Sequence, residues 1–554
     1  MGYITGENRG QITLFPGTID DYITEDNPVR VIDAFINHLD LEKCQINRFT
    51  PAKEGRPAYD PKDLLKLYLY GYFNKVRSSR KLMKECQRNI EVMWLLRKLT
   101  PDFRTIADFR KNNIKSLKNV FKAFVKLCLE MNLYQKELIA IDGSKFKAVN
   151  AKDKNYTIGK LKDRIKWIEE DVAKYMAALD QGDKTEKDER PYSKEELQKK
   201  IKELTERKDL YEGYMQELTE NNLTQKSITD PEAKLMKNNG KFDVCYNVQT
   251  AVDNGSHMLA DFQVTDNVGD YGLLTTVAKG AMENLEVSTL ETVADKGYRA
   301  LEDVYDSLVQ GIIPNTPLLD SGNAYTYELE YTETVITEEL RNSCKSEDIA
   351  ACFKAGVVPS LYKDTAIEIE VIETLVPSTK VKGKEERESE GGKGSFVRDP
   401  KTDTALCPMG YILKKTSESQ AGISRYSNQE ACKKCTNRCT RAKFKDALFA
   451  SGQDEVESRF WRPFNKDDSL GADRIKKSIL LKFTPDLQKV KLRKGIVEHP
   501  FGTIKRWCDG SYLLLKGKTG ATADLSLSFL AYNMKRAINM IGVRKILANI
   551  QGIV

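Results

Sequence analysis

The first candidates for chemistry are acidic residues that close apolar runs. Leu138-Ile139-Ala140-Ile141 leads into Asp142-Gly143, and LETVAD (290–295) ends in Asp295. Each run reads as a short buried strand with an acid just past its end. The carboxyl ends of strands in an α/β sheet are where sites collect. A third acid, Glu498, lies in GIVEHPFGTIKRW. There the pattern is read as a helix starting near Ile496, with Pro500 in its first turns, where a missing N–H does little harm. Lys505 stands two turns beyond Glu498 on the same face. Three carboxylates from two strands and a helix could hold two Mg²⁺ ions, or Mn²⁺. Such ions bracket the attacking and leaving oxygens of a phosphodiester. A lone strand-end Asp is ordinarily a turn residue and a lone helix Glu is ordinarily solvated, so the ordered set carries the specificity. Asp253, Asp266 and Asp270 lie nearby as competing or auxiliary ligands.

A second set is made of cysteines. Cys432, Cys435 and Cys439 form C-x2-C-x3-C, with Cys407 upstream in ALCPMG. Four thiolates at these spacings are candidates for a tetrahedral structural Zn²⁺ site; the bland reading is cysteines in a loop. The chain has 11 Cys and only 3 His, which leaves little for His-rich metal sites or Ser-His hydrolase schemes. Cysteines elsewhere, such as Cys44, Cys86 and Cys128, read as small core residues.

These residues need elements to position them. Residues 1–135 read as all-helical, with Asp60-Pro61 as N-cap and first helical position. Arg104 and Arg110 lie on a short basic helix there, and several such helices in series fit a DNA reader. Residues 136–155 begin an α/β core. Residues 156–225 form a helical hairpin. Leu161, Ile165, Ile168, Val172 and Tyr175 make one side of its seam, Leu197, Ile201, Leu204, Tyr211 and Leu218 the other, and Lys208 is a defect. Ser193 and Glu196 make a capping box. Residues 226–315 continue the core, in the order strand, strand, helix, strand, helix, strand. Residues 316–465 read as an irregular, cysteine-bearing insert containing the charged stretch KGKEERESEGGKG. Residues 466–554 return to the core with the Glu498 helix and a terminal helix.

With 40% apolar and 31% charged residues, the composition is that of a globular protein. No signal-peptide layout opens the chain and no apolar run reaches bilayer length, so a cytoplasmic protein is expected. Net charge is +7, concentrated from Arg474 onward, where 16 Lys and Arg face 4 Asp and Glu. A basic end on a near-neutral body suggests a polyanionic partner.

Taken together, GRPAYDPKDLLKLYLYGYFNKVRSSRKL, DFRTIADFRK, IAIDGSKFKA, DPEAKLM, YNVQTAVD, VADKGYR, VEHPFGTIKRW and LSLSFLAYNMKRA resemble bacterial insertion-sequence transposases of the IS1182 type. These belong to the wider DDE class, related to IS4- and IS5-type enzymes. The resemblance implies an RNase H-like core and Asp142, Asp295 and Glu498 as its metal-binding triad. It also implies an N-terminal part that recognises terminal inverted repeats, and work as a homodimer on paired DNA ends. Lys494, His499, Lys505 and Arg506 are then expected to contact DNA. One departure stands out: where related IS4-type enzymes place Tyr and Arg before the glutamate, this chain has Lys491 and Lys494. Any hairpin step at the excised end is thereby left open. Two other functions keep the same fold: a DNA binder that has lost catalysis, and a nuclease that does not join strands.

Overall fold

A computed structural model describes residues 17–47, 58–182, 193–318, 323–376, 395–419, 422–435, 439, 442–457, 474–507 and 510–552. KGKEERESEGGKG and most of the hairpin's polar turn lie outside the described residues.

Six helices come first: α1 (Pro28–His38), α2 (Pro61–Phe73), α3 (Ser79–Arg88), α4 (Ile90–Leu95), α5 (Phe103–Asn112) and α6 (Leu117–Glu130). Their starts follow from local chemistry. Asn27, Asp60 and Asp102 each accept from a backbone N–H of the first turn, and Pro28 and Pro61 fill first helical positions.

The central sheet contains β1 (Leu138–Lys147), β4 (Lys234–Asn238), β5 (Lys241–Asp253), β6 (Leu259–Thr265), β7 (Leu290–Val293) and β8 (Ile312–Asn315), after a small pair, β2 (Asn155–Thr157) and β3 (Gln225–Ser227). Its path is β4-β5-β1-β7-β8, with β6 also on β5. β5 and β6 are antiparallel, as are β1 and β5, whereas β1, β7 and β8 run parallel. Three antiparallel strands continued by two parallel ones give the RNase H-like core. Helices α9 (Leu274–Leu285) and α10 (Leu301–Val309) make the parallel crossovers.

The hairpin is present as α7 (Ile158–Gly182) and α8 (Lys194–Glu220). Leu161, Ile168 and Leu218 are fully buried in its seam, and the Ser193–Glu196 capping box forms. Lys208, the charged position in the seam, has its Nζ paired with Glu169 of the opposing helix at 2.7 Å.

The chain divides into two compact units, residues 1–371 with 479–554, and residues 372–478. The stretch expected to be irregular, 316–465, holds eight short strands among its described residues, joined by long connections. β9 (Tyr325–Glu330), β10 (Ile367–Val376) and β17 (Arg474–Phe483) form a three-stranded sheet in the order β10-β17-β9, near the short helices α11 (Glu338–Asn342) and α12 (Ser346–Lys354) in sequence. β11 (Ser395–Asp399), β12 (Thr404–Leu406), β13 (Ile412–Glu418), β14 (Ser424–Ser427), β15 (Asp446–Phe449) and β16 (Glu455–Glu457) form a six-stranded antiparallel sheet, with α13 (Gln429–Lys434) after β14. These strands are short and bury few residues each, which is why their alternation is faint in sequence. The chain closes with α14 (Leu487–Gly502), a π-helical turn (Thr503–Trp507), α15 (Gly517–Ile541) and α16 (Val543–Gln551). Among the described residues, no helix is long and apolar enough to cross a membrane.

Candidate active site

Strand register places the two aspartates. Ala140 of β1 is partnered with Val293 of β7, the last parallel pair between them. Asp142 and Asp295 each lie two residues beyond that pair, Asp142 within β1 and Asp295 just past the end of β7. Asp142 is not past the end of its strand as expected. β1 runs on to Lys147 because β5 keeps pairing with it, Asp142 opposite Thr250. Asp295 caps a 3-10 turn, its Oδ1 accepting from Gly297 N at 2.7 Å.

Of the competing acids, Asp270 joins them. Its Oδ1 accepts from Asn247 Nδ2 and Gln249 Nε2, each at 2.7 Å, and lies 3.7 Å from Lys145 Nζ. Tyr298 donates to Gln249 Oε1, so a chain of buried polar groups fixes this acid. Burial pushes Asp142 up to about 6, against the pull of Arg493, and the charges of Asp295 and Asp270 add to the rise. The centre is thus a partly buried acidic cluster, met by Arg493 at Asp142 and by Lys145 at Asp270.

Asp253 and Asp266 have other duties. Asp253 accepts from the backbone N–H groups of Gln135, Lys136, Gly255 and Ser256, which holds two turns together. Asp266 is partly buried, but Lys234 and Lys518 hold its carboxyl down to about 2.

Gly143 is the residue that lets the Asp270 loop approach. A Cβ there would stand 2.4 Å from Gln249 Nε2 and 2.5 Å from Asp270 Oδ1. Gly143→Ala is expected to destabilise the fold by about 1–3 kcal/mol. Thermal unfolding checks this, and an unchanged midpoint would show that the cluster is looser than its geometry.

Helix α14 begins at Leu487, capped by Asp486, rather than near Ile496. Pro500 is therefore interior, and its missing N–H leaves the Ile496 carbonyl without its helical donor. His257 Nδ1 comes within 3.4 Å of that oxygen. On the inward face of α14, Lys489 Nζ binds both oxygens of Glu291 at 2.7 Å. One turn on, Arg493 Nη1 donates to Asp142 Oδ2 at 2.8 Å, and Val497 is buried a further turn along. Glu498 follows Arg493 by five residues, so it is turned about 140° away. Its side chain is 65% exposed and pairs with Lys494 at 3.8 Å. The structure brings Asp142, Asp295 and Asp270 together and leaves Glu498 on the outer face. Among the described residues, no three His, Cys, Asp or Glu side chains already stand as a metal-holding group.

The family follows from two matches. A model of a transposase domain of otherwise undefined role matches residues 17–112, and a model of the transposase DDE domain matches residues 135–534. The chain belongs to the DDE transposase family. The pairing of these two domains is the architecture of IS1182-type transposases. No curated relative matches. A cryo-EM structure of a piggyBac transposase synaptic complex with hairpin DNA is 10% identical, covering 95% of this chain and 79% of that one at a TM-score of 0.28.

The other expected DNA contacts of this transposase are scattered. Lys505 Nζ donates to Ser144 Oγ at 2.6 Å and Lys145 O at 2.8 Å. It pins the π-turn to β1, and burial lowers it to about 8. His499 is exposed, and its Nδ1 meets Tyr532 Oη of α15 at 2.9 Å. Arg110 lies over the Tyr68 ring and reaches Tyr72 Oη, inside the helical domain. Arg104, Lys494 and Arg506 are exposed. Arg493 was not among the expected residues. Asp486 after Pro485 was its available signal, because a helix capped there puts Lys489, Arg493 and Val497 on one face.

Proposed function

We propose that the chain is an active DNA transposase that binds terminal inverted repeats as a homodimer, cleaves phosphodiester bonds at the element's ends and joins them to target DNA. The observation that carries this reading is the convergence of Asp142 and Asp295 at the parallel strand ends of an RNase H-like sheet, with Asp270 beside them. Their oxygens and their clustered negative charge fit a hard divalent cation, Mg²⁺ or Mn²⁺. Asp142 and Asp295 would hold it, and it would supply charge to the reacting phosphodiester. Glu498 as it stands does not fit, because it faces away beside Lys494. Arg493 meanwhile neutralises Asp142 from the side where a cation would act. Exposed Lys494, Arg506 and Arg104, and the basic C-terminal part, support contact with the phosphate backbone.

The test uses the full chain with duplex DNA carrying the element's ends and a target duplex, in Mg²⁺, Mn²⁺ or chelator. Cleaved and joined products in metal only are expected. Cleavage without joining would favour a nuclease, and binding without cleavage a DNA binder that has lost catalysis. Glu498→Gln and Asp270→Asn identify the third acid: the one that matters should fall on the order of 10²-fold or more. Equal, small losses in both would sink a three-carboxylate site.

A further inference from the structure

The second compact unit holds chemistry that DNA cleavage does not use. Its six-stranded sheet has a small apolar core of Phe396, Ala405, Leu413, Tyr426, Ala447 and Phe449. A core of that size supplies little stability, and small units commonly add a staple. Four cysteines sit where a staple would act. Cys407 follows β12, Cys432 is on α13, Cys435 caps that helix's end and Cys439 stands four positions on in sequence. All four line one small cavity, which Phe396 and Leu413 also line.

The Cys407 turn is shaped around sulfur. Tyr411 N donates to Cys407 Sγ at 3.3 Å, Cys407 N donates to Tyr411 O at 2.9 Å, and Gly410 N donates to Cys407 O at 2.9 Å. Gly410 has φ +77°, a conformation other residues rarely adopt. A backbone N–H directed at sulfur favours the thiolate, which is the form that binds metal.

We propose that Cys407, Cys432, Cys435 and Cys439 bind one structural Zn²⁺ ion that staples α13 and the Cys407 turn to the six-stranded sheet. Each thiol gives its proton to solvent as its sulfur bonds the metal. Four protein ligands leave no open position, so the ion holds structure and performs no chemistry. The neighbouring side chains supply no competing carboxylate among the cavity's lining residues. The sulfurs do not already form a metal-holding group, so binding draws them inward.

The test is metal analysis of the full-length protein purified with reductant and dialysed without chelator. About one zinc per chain is expected, falling to near zero in Cys407→Ser and in Cys435→Ser, while Cys344→Ser keeps it. Because loss of a ligand can unfold a variant, the wild type is also refilled with Co²⁺. Sulfur-to-cobalt charge-transfer absorption with tetrahedral d–d bands is expected. A wild-type protein without zinc that also gives no such spectrum overturns the proposal. So does zinc retained in both Cys407→Ser and Cys435→Ser, or a disulfide among the four in reductant-treated protein.

Discussion

Asp142→Asn is expected to lower DNA cleavage on the order of 10³-fold and, in chelator, to make the protein more stable at pH 7. The two effects have one cause. Burial raises Asp142 from an ordinary 3.8 to about 6, so the fold disfavours the ionised carboxylate. A carboxyl raised in the fold contributes stability at acid pH, below its unfolded value, and loses it as pH rises through about 6. A shift of about two units is worth at most ~3 kcal/mol. The side chain is 21% exposed, so the net gain for Asn is about 1–2 kcal/mol. The stability gap between variant and wild type should therefore be small near pH 4 and widen between pH 4 and pH 7. Thermal unfolding across that range checks it. A gap that is constant with pH would mean that Arg493 already cancels the charge. Lost cleavage together with gained stability would mark Asp142 as a residue kept for function against the interest of the fold.

Much of this site was legible because strand periodicity and apolar runs are local signals. The run Leu138–Ile141 and the run ending at Val293 each announce a buried strand, and parallel pairing then sets Asp142 beside Asp295. The hairpin was legible for the same reason, since its seam repeats at helical spacing. What stayed hidden depends on partners distant in sequence. Asp270 belongs to the cluster through Asn247 and Gln249, more than twenty residues before it, and nothing in its own neighbourhood says so. Arg493 reaches Asp142 across 351 residues. Glu498 shows the converse. Its motif is clear, but a motif fixes neither where a helix begins nor which face turns inward. With the cap at Asp486, the inward positions fall to Lys489, Arg493 and Val497, and the glutamate falls outside. The short strands of the 372–478 unit bury too few residues each to print an alternation.

The second large effect concerns how the helical domain is joined to the core. Asp524 on α15 is fully buried, and Arg77 beside it is 5% exposed. Arg77 Nη2 meets Asp524 Oδ2 at 2.8 Å, Leu514 N donates to the same oxygen at 2.8 Å, and Tyr72 Oη donates to Oδ1. Arg77 also donates to Tyr512 O at 3.0 Å. One carboxylate thus ties α2 and the α2–α3 turn to the chain that leads from the π-turn into α15. Asp524→Ala is expected to cost about 3–5 kcal/mol, because it leaves the Arg77 guanidinium buried without its counter-charge. A double variant, Arg77→Met with Asp524→Leu, removes both charges and is expected to recover most of that loss. Calorimetric unfolding of the three proteins separates the possibilities. If the double variant is as unstable as Asp524→Ala, the loss comes from the hydrogen bonds to Leu514 and Tyr72 and not from an orphaned charge. Recovery would instead mean that the pair adds little net stability, and that its value lies in fixing how α15 meets the N-terminal helices. Just before α15, Tyr512 pairs with β1 at Lys147, five residues beyond Asp142. A loosened Asp524 junction should therefore lower cleavage at temperatures where the fold still holds, and that loss should be absent in the double variant.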